Sequence, residues 1–294
     1  MKLYYYIILY AVFISCKKVD VNAQNSINIS NEMKKYWYNN EAEISSYALV
    51  QARYGELREG KAVLIYVTET FSNKSFTKAD NPTDKDIPVL KLNFTKNFTT
   101  GIYPYSMMNS TFYPIKGGNS IKISSSSQEW CGHTYMELLN EEKYEVSLNS
   151  YFEGEGFENF KIEKDLLEDD LWSMIRLFPN ELPTGTMKII PSFFYLRLLH
   201  KEFKSYTCKI EKSVNDSNTI YSINYPELNR KLSITFENSF PYKIVSWEES
   251  YPDGFTSKAT ILTTKGTLLK TIKTDYWNKH STSNNDLRAK LGLE

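Results

Sequence analysis

The chain has 294 residues, a length that suits one large domain or two modest ones. Lys and Arg together number 35, as do Asp and Glu, and this balance argues against a nucleic-acid-binding protein and against an acidic interaction tail. The 22 tyrosines and 16 phenylalanines are abundant, and aromatic side chains favour strands, so a mainly β fold is expected.

The first sixteen residues have the pattern of an export signal. Lys2 precedes an apolar run over residues 3–14, which is shorter than the roughly 20 residues needed to span a bilayer. With Ser15-Cys16 at its end, the segment resembles the signal peptide and lipobox of bacterial lipoproteins. The resemblance implies that residues 1–15 are removed and that Cys16 carries the lipid. A cleaved signal without lipid and an apolar element of the core are the alternatives.

The lipoprotein-like signal predicts where the protein is located and what it contacts. Residues 16–30 are polar and are expected to act as a flexible tether between the lipid on Cys16 and the folded domain. The membrane is then a partner, and the protein is placed in the envelope of a Gram-negative bacterium, on the outer membrane and facing the periplasm. Such a location permits disulfides.

Residues 31–281 predict a single β-rich domain. A short helix is expected at Asn31–Trp37, with Ser30 or Asn31 as its N-cap. Strand patterns joined by short turns follow over residues 43–53, 61–70, 88–94, 100–107, 111–115, 120–139 and 143–152. The charged residues 53–60 are interpreted as a solvated hairpin tip, with a partner-binding patch as the alternative.

One internal helix interrupts the strands. Apolar residues recur at helical spacing near 163–178, with acids in the early turns. A second strand series follows over residues 186–190, 193–203, 206–213, 219–225, 231–237, 242–251 and 257–274. The pattern predicts an antiparallel meander or a partly closed β-barrel, and two β lobes that meet near 163–185 are the alternative. Residues 282–294 are expected to form a short tail or helix.

The densest group of reactive side chains lies at residues 128–137. If this segment is one strand, Glu129, Cys131 and His133 share a face. A Cys131–His133 pair could then form a thiolate nucleophile, and the three residues could also be weak metal ligands. The simpler interpretation is a half-buried strand, and neither a metal nor another cofactor is expected. Cys131 and Cys208 could alternatively form a disulfide, although spacing cannot establish the geometry.

Aromatic side chains suggest binding more than catalysis. Tyr103-Pro-Tyr105 and Phe112-Tyr113-Pro114 place rings beside prolines, and such rings could line a concavity that holds an acyl chain, a sugar or an extended peptide. Ordinary strand core is the alternative. The sequence contains no GxSxG, Walker, HExxH or dinucleotide-binding motif.

From about residue 31 to 280 the chain resembles a family of Gram-negative envelope lipoproteins without an assigned biochemical function. The resemblance is carried by these segments: residues 35–38, 51–56, 101–105, 128–133, 182–185, 189–192, 225–230 and 246–249. Members of that family sometimes bear the automatic label septum formation inhibitor Maf. True Maf proteins are cytoplasmic nucleotide pyrophosphatases with a Ser-x-Ser-Pro-Arg-Arg motif, which this sequence lacks.

The sequence therefore favours a non-enzymatic, lipid-anchored protein that binds an apolar ligand or an envelope partner through an aromatic-rich β domain. An envelope enzyme that uses Cys131 and His133 is one alternative, and a structural scaffolding lipoprotein is the other. No nucleic-acid partner is expected.

Overall fold

The computed structural model describes residues 30–255 and 258–294. The predicted signal peptide, Cys16 and nearly all of the expected tether lie outside these residues. The strands are β1 (Ala42–Arg53), β2 (Glu56–Ser72), β3 (Thr77–Lys78), β4 (Ile87–Thr100), β5 (Tyr103–Pro114), β6 (Lys122–Glu129), β7 (Gly132–Asn140), β8 (Tyr144–Ser150), β9 (Phe157–Ile162), β10 (Leu166–Leu167), β11 (Gly185–Ile190), β12 (Tyr206–Val214), β13 (Asn218–Tyr225), β14 (Arg230–Glu237), β15 (Ile244–Asp253) and β16 (Thr260–Thr274). The helices are α1 (Asn31–Trp37), α2 (Glu168–Leu177), α3 (Phe193–Leu198) and α4 (Asp286–Lys290), and 3₁₀ turns lie at Pro226–Leu228, Tyr276–Asn278 and Thr282–Asn284.

All strands belong to one sheet, and neighbours in the chain are mostly neighbours in the sheet. The order is β10-β11-β12-β13-β14-β15-β16-β1-β2-β4-β5-β6-β7-β8-β9, with β3 added to β2. Only the short β10–β11 pair is parallel among the described strands. The sheet is not closed, because β9 and β10 remain its two edges although only residues 163–165 separate them in the chain. The predicted mainly β antiparallel meander is confirmed.

Strand β1 joins the two halves of this meander. It pairs with β2 through a tight hairpin and with β16 along its other edge. Strand β2 lies in the interior of the sheet, and apolar side chains lie on both of its faces. Leu64 and Tyr66 are buried in the main core, whereas Val63 and Ile65 pack against a second cluster that includes Leu291 near the C-terminus.

The main core lies between the sheet and the two helices α2 and α3. Helix α2 is fixed at both ends by buried ion pairs. Near its beginning, Glu168 pairs with Arg230 of β14, and near its end Arg176 pairs with Glu43 of β1. Both arginines also lie over aromatic rings, so the interior between helix and sheet is filled by side chains.

The structure bears on the predicted N-cap of α1, the predicted internal helix and the predicted strand over residues 120–139. The N-cap of α1 is confirmed, because the Ser30 hydroxyl accepts the Met33 backbone N–H at 3.1 Å. The internal helix begins at Glu168 and not near residue 163, since Leu166 and Leu167 pair with β11 as the short strand β10. The predicted strand over 120–139 is two strands, β6 and β7, joined by a turn.

The predicted strand over 193–203 is wrong, since no residue of this segment is in a strand. Residues Phe193–Leu198 form α3, and five of its six residues are buried. A short run that is apolar on all sides has no period that separates a buried helix from a buried strand. Among the described residues, no helix is both long enough and apolar enough to cross a bilayer.

Candidate functional site

Aromatic and charged side chains collect at one end of the sheet. Successive antiparallel strands run in opposite directions, so their connections alternate between two ends. The turns after β1, β4, β6, β8 and β15 lie at the same end, which we call the turn end, together with the loop that carries α3. Helix α1 packs at the opposite end, where Thr68 donates its hydroxyl hydrogen to the Trp37 carbonyl.

A cleft of about 940 Å³ opens at the turn end. Its aromatic walls come from four separate turns and are Tyr54, Tyr103, Phe152 and Phe255. Its polar residues are Arg53, Glu155, His200 and Asp253. We call this the turn-end cleft. Further apolar side chains stand exposed on neighbouring turns, namely Ile102 (81% exposed), Trp130 (69%) and Tyr151 (73%).

Arg53 lies at the base of the cleft, half-buried at the last position of β1. Its Nη2 donates to the hydroxyl oxygens of Tyr54 at 3.0 Å and Tyr105 at 3.2 Å. Its Nη1 donates to the Leu198 carbonyl, which joins β1 to the end of α3. The guanidinium carbon also stands 4.0 Å from the centre of the Tyr54 ring. The arginine is therefore held by neutral groups.

Tyr54 is placed by an unusual turn. Both central residues of the β1–β2 turn, Tyr54 and Gly55, have positive φ, at 59° and 76°. This is the twist that favours a two-residue hairpin, and glycine adopts it without the strain that tyrosine incurs. The Tyr54 ring stacks on Phe255 with centroids 5.4 Å apart, and the Asp253 carboxylate accepts the Gly55 N–H.

His200 borders the cleft and two adjoining cavities. Its Nδ1 lies 2.6 Å from a Glu155 carboxylate oxygen, and Arg197 donates to the same carboxylate. Burial alone would raise the pKa of Glu155, but the hydrogen bonds from Arg197, His200 and Ser150 lower it to about 2. Glu155 is therefore ionised and already neutralised by these neighbours. The adjoining cavities have volumes of about 480 Å³ and about 30 Å³.

The predicted Cys131–His133 site is not formed as expected. Cys131 lies in the turn between β6 and β7, so it does not share a strand face with Glu129 and His133. The Glu129 carboxylate accepts the Cys131 N–H, and its hydrogen bond to the thiol raises the pKa of Cys131. Cys131 and His133 are exposed, and neither lines the turn-end cleft. Of these residues, only Glu129 borders the small adjoining cavity.

The two described cysteines are free thiols, so the proposed Cys131–Cys208 disulfide is not present. Cys131 is exposed in its turn, whereas Cys208 is buried on β12 opposite Met187. Burial raises the pKa of Cys208 to about 12. No group of three or more His, Cys, Asp or Glu side chains within residues 30–255 and 258–294 could hold a metal ion.

The aromatic residues expected to line a concavity lie in different parts of the structure. Tyr105 and Tyr113 are buried in the main core, Phe112 packs against a smaller cluster around Phe71, and only Tyr103 lines the cleft. Three cleft residues escaped the sequence prediction or were assigned a plainer role. Arg53 and Tyr54 belong to the segment interpreted as a solvated hairpin tip, and no motif in the sequence singles out His200.

The geometry of the cleft suits binding of a small organic molecule by ring contacts and hydrogen bonds. Comparison with known proteins adds no identification: no family model, no curated protein and no solved structure matches the chain.

Proposed function

We propose that this protein is a non-enzymatic envelope lipoprotein, anchored to the membrane through Cys16, whose β domain binds an organic ligand in the turn-end cleft. The anchor rests on the resemblance of the first sixteen residues to a lipoprotein signal. The binding role rests on the cleft itself, and each is tested separately below.

The aromatic cleft is the observation that supports a binding role most directly. Small-molecule sites usually occupy roughly 300–1,000 Å³ and combine apolar walls with a few placed polar groups. The cleft has about 940 Å³, four aromatic side chains and one half-buried arginine. Because the interior beneath the sheet is filled by α2, α3 and the main core, we place the ligand among the turns.

The position of the cleft also suits an N-terminal anchor. The described chain enters the sheet through α1, at the end opposite the turns. A tether that joins the domain at Ser30 therefore leaves the cleft at the end of the sheet farther from the junction. A ligand could reach it without competition from the lipid surface.

The binding role is tested with a neutral ring compound, 2-naphthylacetamide, titrated into the full-length detergent-solubilised protein by isothermal calorimetry. We expect one saturable site. Truncation of an exposed aromatic wall by Phe255→Ala should weaken binding about tenfold, which corresponds to about 1.4 kcal/mol. Phe255 is 67% exposed, so this variant should fold normally.

Tyr38→Ala is the matched control, since Tyr38 is 50% exposed and follows α1 at the opposite end of the sheet. It should bind the naphthyl compound as the wild type does. Absence of saturable binding, or equal weakening by both substitutions, would count against the cleft as the binding site.

The anchor is tested independently of the cleft. Cells that express the protein should incorporate radiolabelled fatty acid into it, and Cys16→Ser should abolish the label while the precursor accumulates. Cys131→Ser serves as the control because it removes an exposed thiol and leaves the lipobox intact. Normal labelling of Cys16→Ser would refute the anchor and leave the binding role in place.

A further inference from the structure

Arg53, Tyr54 and Tyr105 meet at the base of the turn-end cleft, and together they have more hydrogen-bond donors than acceptors. Arg53 has five N–H donors, and the phenols of Tyr54 and Tyr105 have one O–H each. Four contacts engage the guanidinium: Nε and Nη2 to Tyr105, Nη2 to Tyr54, and Nη1 to the Leu198 carbonyl. At least one guanidinium N–H therefore has no acceptor among the described residues.

The two phenols add a second free donor. Their oxygens lie 2.8 Å apart, so one hydroxyl hydrogen is shared between them. The other hydroxyl hydrogen is left without an acceptor in these contacts. One guanidinium N–H of Arg53 and one phenolic O–H are thus left without an acceptor in these contacts, beside the wall of the cleft that Arg53 and Tyr54 line.

The positive charge of Arg53 is also uncompensated at close range. None of the ion pairs among the described residues includes Arg53. The two acids that line the cleft have other partners, because Glu155 is bound by Arg197 and His200 and Asp253 accepts the Gly55 N–H. Guanidinium groups bind carboxylate, sulfonate and phosphate oxygens through paired N–H donors.

We propose that the turn-end cleft selects organic anions, with the acidic group of the ligand on Arg53 and the free phenolic O–H, and its ring against Phe255 and Tyr103. This inference rests on the proposed binding role and specifies the class of ligand. An anion supplies the missing acceptors and the missing negative charge together, whereas a neutral ring compound supplies neither charge nor paired acceptors.

The test compares 2-naphthylacetate with 2-naphthylacetamide, which share the ring and differ in charge. Both are titrated by calorimetry into the full-length protein, with detergent alone as the blank. We expect the acetate to bind about tenfold more tightly than the amide, since hydrogen bonds to ionised groups are about twice as strong as neutral ones. Arg53→Gln should remove this preference, so that the acetate and the amide bind the variant with equal affinity.

Two further variants complete the design. Arg58→Gln is the matched control, because Arg58 pairs with Glu56 within β2 and does not line the cleft. It should keep the full preference for the acetate. Arg53→Lys retains the charge without the planar fork and should keep about a threefold preference.

The outcomes separate the two proposals. Equal binding of acetate and amide by the wild type, or an undiminished preference in Arg53→Gln, would overturn the anion selectivity and leave the cleft as a binding site. Failure of both compounds to bind would overturn both proposals. Binding of the amide by Arg53→Gln would show that the cleft of this variant is intact. If neither Arg53 variant folds, the anion selectivity is judged from acetate and amide binding by the wild type alone.

Discussion

Three consecutive acids at the start of α2 illustrate how differently neighbouring carboxyl groups are used. Glu168 forms an ion pair with Arg230, while Asp169 accepts the Phe193 N–H and Asp170 accepts the Ser120 N–H. All three are buried, so they connect the helix to α3 and to the loop before β6. Burial raises the pKa of Asp169 to about 6 and that of Asp170 to about 7. The sequence had suggested only a favourable interaction with the helix dipole.

Asp170 makes stability depend on pH. A carboxyl group whose pKa rises on folding, here from 3.8 to about 7, holds its proton more tightly in the folded chain. Its contribution to stability is therefore complete at low pH and is lost as the pH rises through this interval. We expect Asp170 to lower the free energy of unfolding by about 2 kcal/mol between about pH 5 and about pH 8.

Urea unfolding of the Asp170→Asn variant at both pH values measures this contribution. Its amide oxygen can still accept the Ser120 N–H, so the fold should persist while part of the pH dependence disappears. Asp84→Asn, at an exposed loop position, is the control and should behave as the wild type. An unchanged pH dependence in Asp170→Asn would contradict the raised pKa.

The two described thiols should differ sharply in reactivity. Cys131 is exposed and should react with a thiol reagent in the native protein, and Cys208 should react only after unfolding. Because Glu129 raises the pKa of Cys131, its reaction should be slow near pH 7 and faster at higher pH. Mass spectrometry of the labelled protein measures both rates. A fast reaction near pH 6 that depends on His133 would restore the nucleophile hypothesis.

At the scale of the element, α2 is the part of the fold that depends most on paired charges. Arg176 donates to both oxygens of Glu43 at 2.6 and 2.7 Å, and the two side chains are almost completely buried. Arg176→Met leaves the Glu43 carboxylate buried without its cation. We expect a loss of about 3–5 kcal/mol in the free energy of unfolding.

The double variant Arg176→Met, Glu43→Met tests whether the stranded charge causes that loss. It should be more stable than Arg176→Met alone, because no buried carboxylate then lacks a partner. Lys143→Met removes an exposed pair with Glu163 and should change the free energy of unfolding by less than about 0.5 kcal/mol. A double variant no better than the single one would exclude this cause.

The pair β15–β16 depends on a glycine for a different reason. Trp247 is buried directly opposite Gly266, and a Cβ atom at Gly266 would lie 2.2 Å from the indole ring. Gly266→Ala should therefore lower the free energy of unfolding by about 2 kcal/mol, as overpacked cores do. Gly154→Ala, where a Cβ would meet open space, should be close to neutral in the same urea titration. Similar losses in both variants would rule out the steric cause.

The strands were accessible to sequence analysis because alternation survives wherever one face is buried. Residues 62–66 of β2 are apolar on both faces instead, which is the pattern of a strand covered on both sides. Helix α3 was missed because it is apolar on nearly every side. The cleft could not be predicted because its polar residues come from distant parts of the chain. Arg53 and Asp253 end β1 and β15, and Glu155 and His200 lie in the connections after β8 and α3. The order of the strands in the sheet brings them together.

At the scale of the whole molecule, the sheet gives the domain two unlike ends. The turn end carries the cleft and its aromatic rim, and the opposite end carries α1 and the C-terminal end of α2. The proposed ligand site and the proposed attachment are thereby separated by the length of the strands. This separation is consistent with a domain that presents its binding surface away from its point of attachment.

The pairing of β1 with β16 affects how the chain can fold during its synthesis. β1 is among the first strands to be synthesised, yet one of its two partners is the last long strand of the chain. Local hairpins can form before β16 is synthesised, but the edge of β1 that pairs with β16 stays unpaired until then. Unpaired strand edges can pair with other chains and cause aggregation. A chain truncated before Thr260 would consequently leave two incomplete half-sheets, each with an open edge. The centre of the sheet can therefore be completed only after β16 has been synthesised.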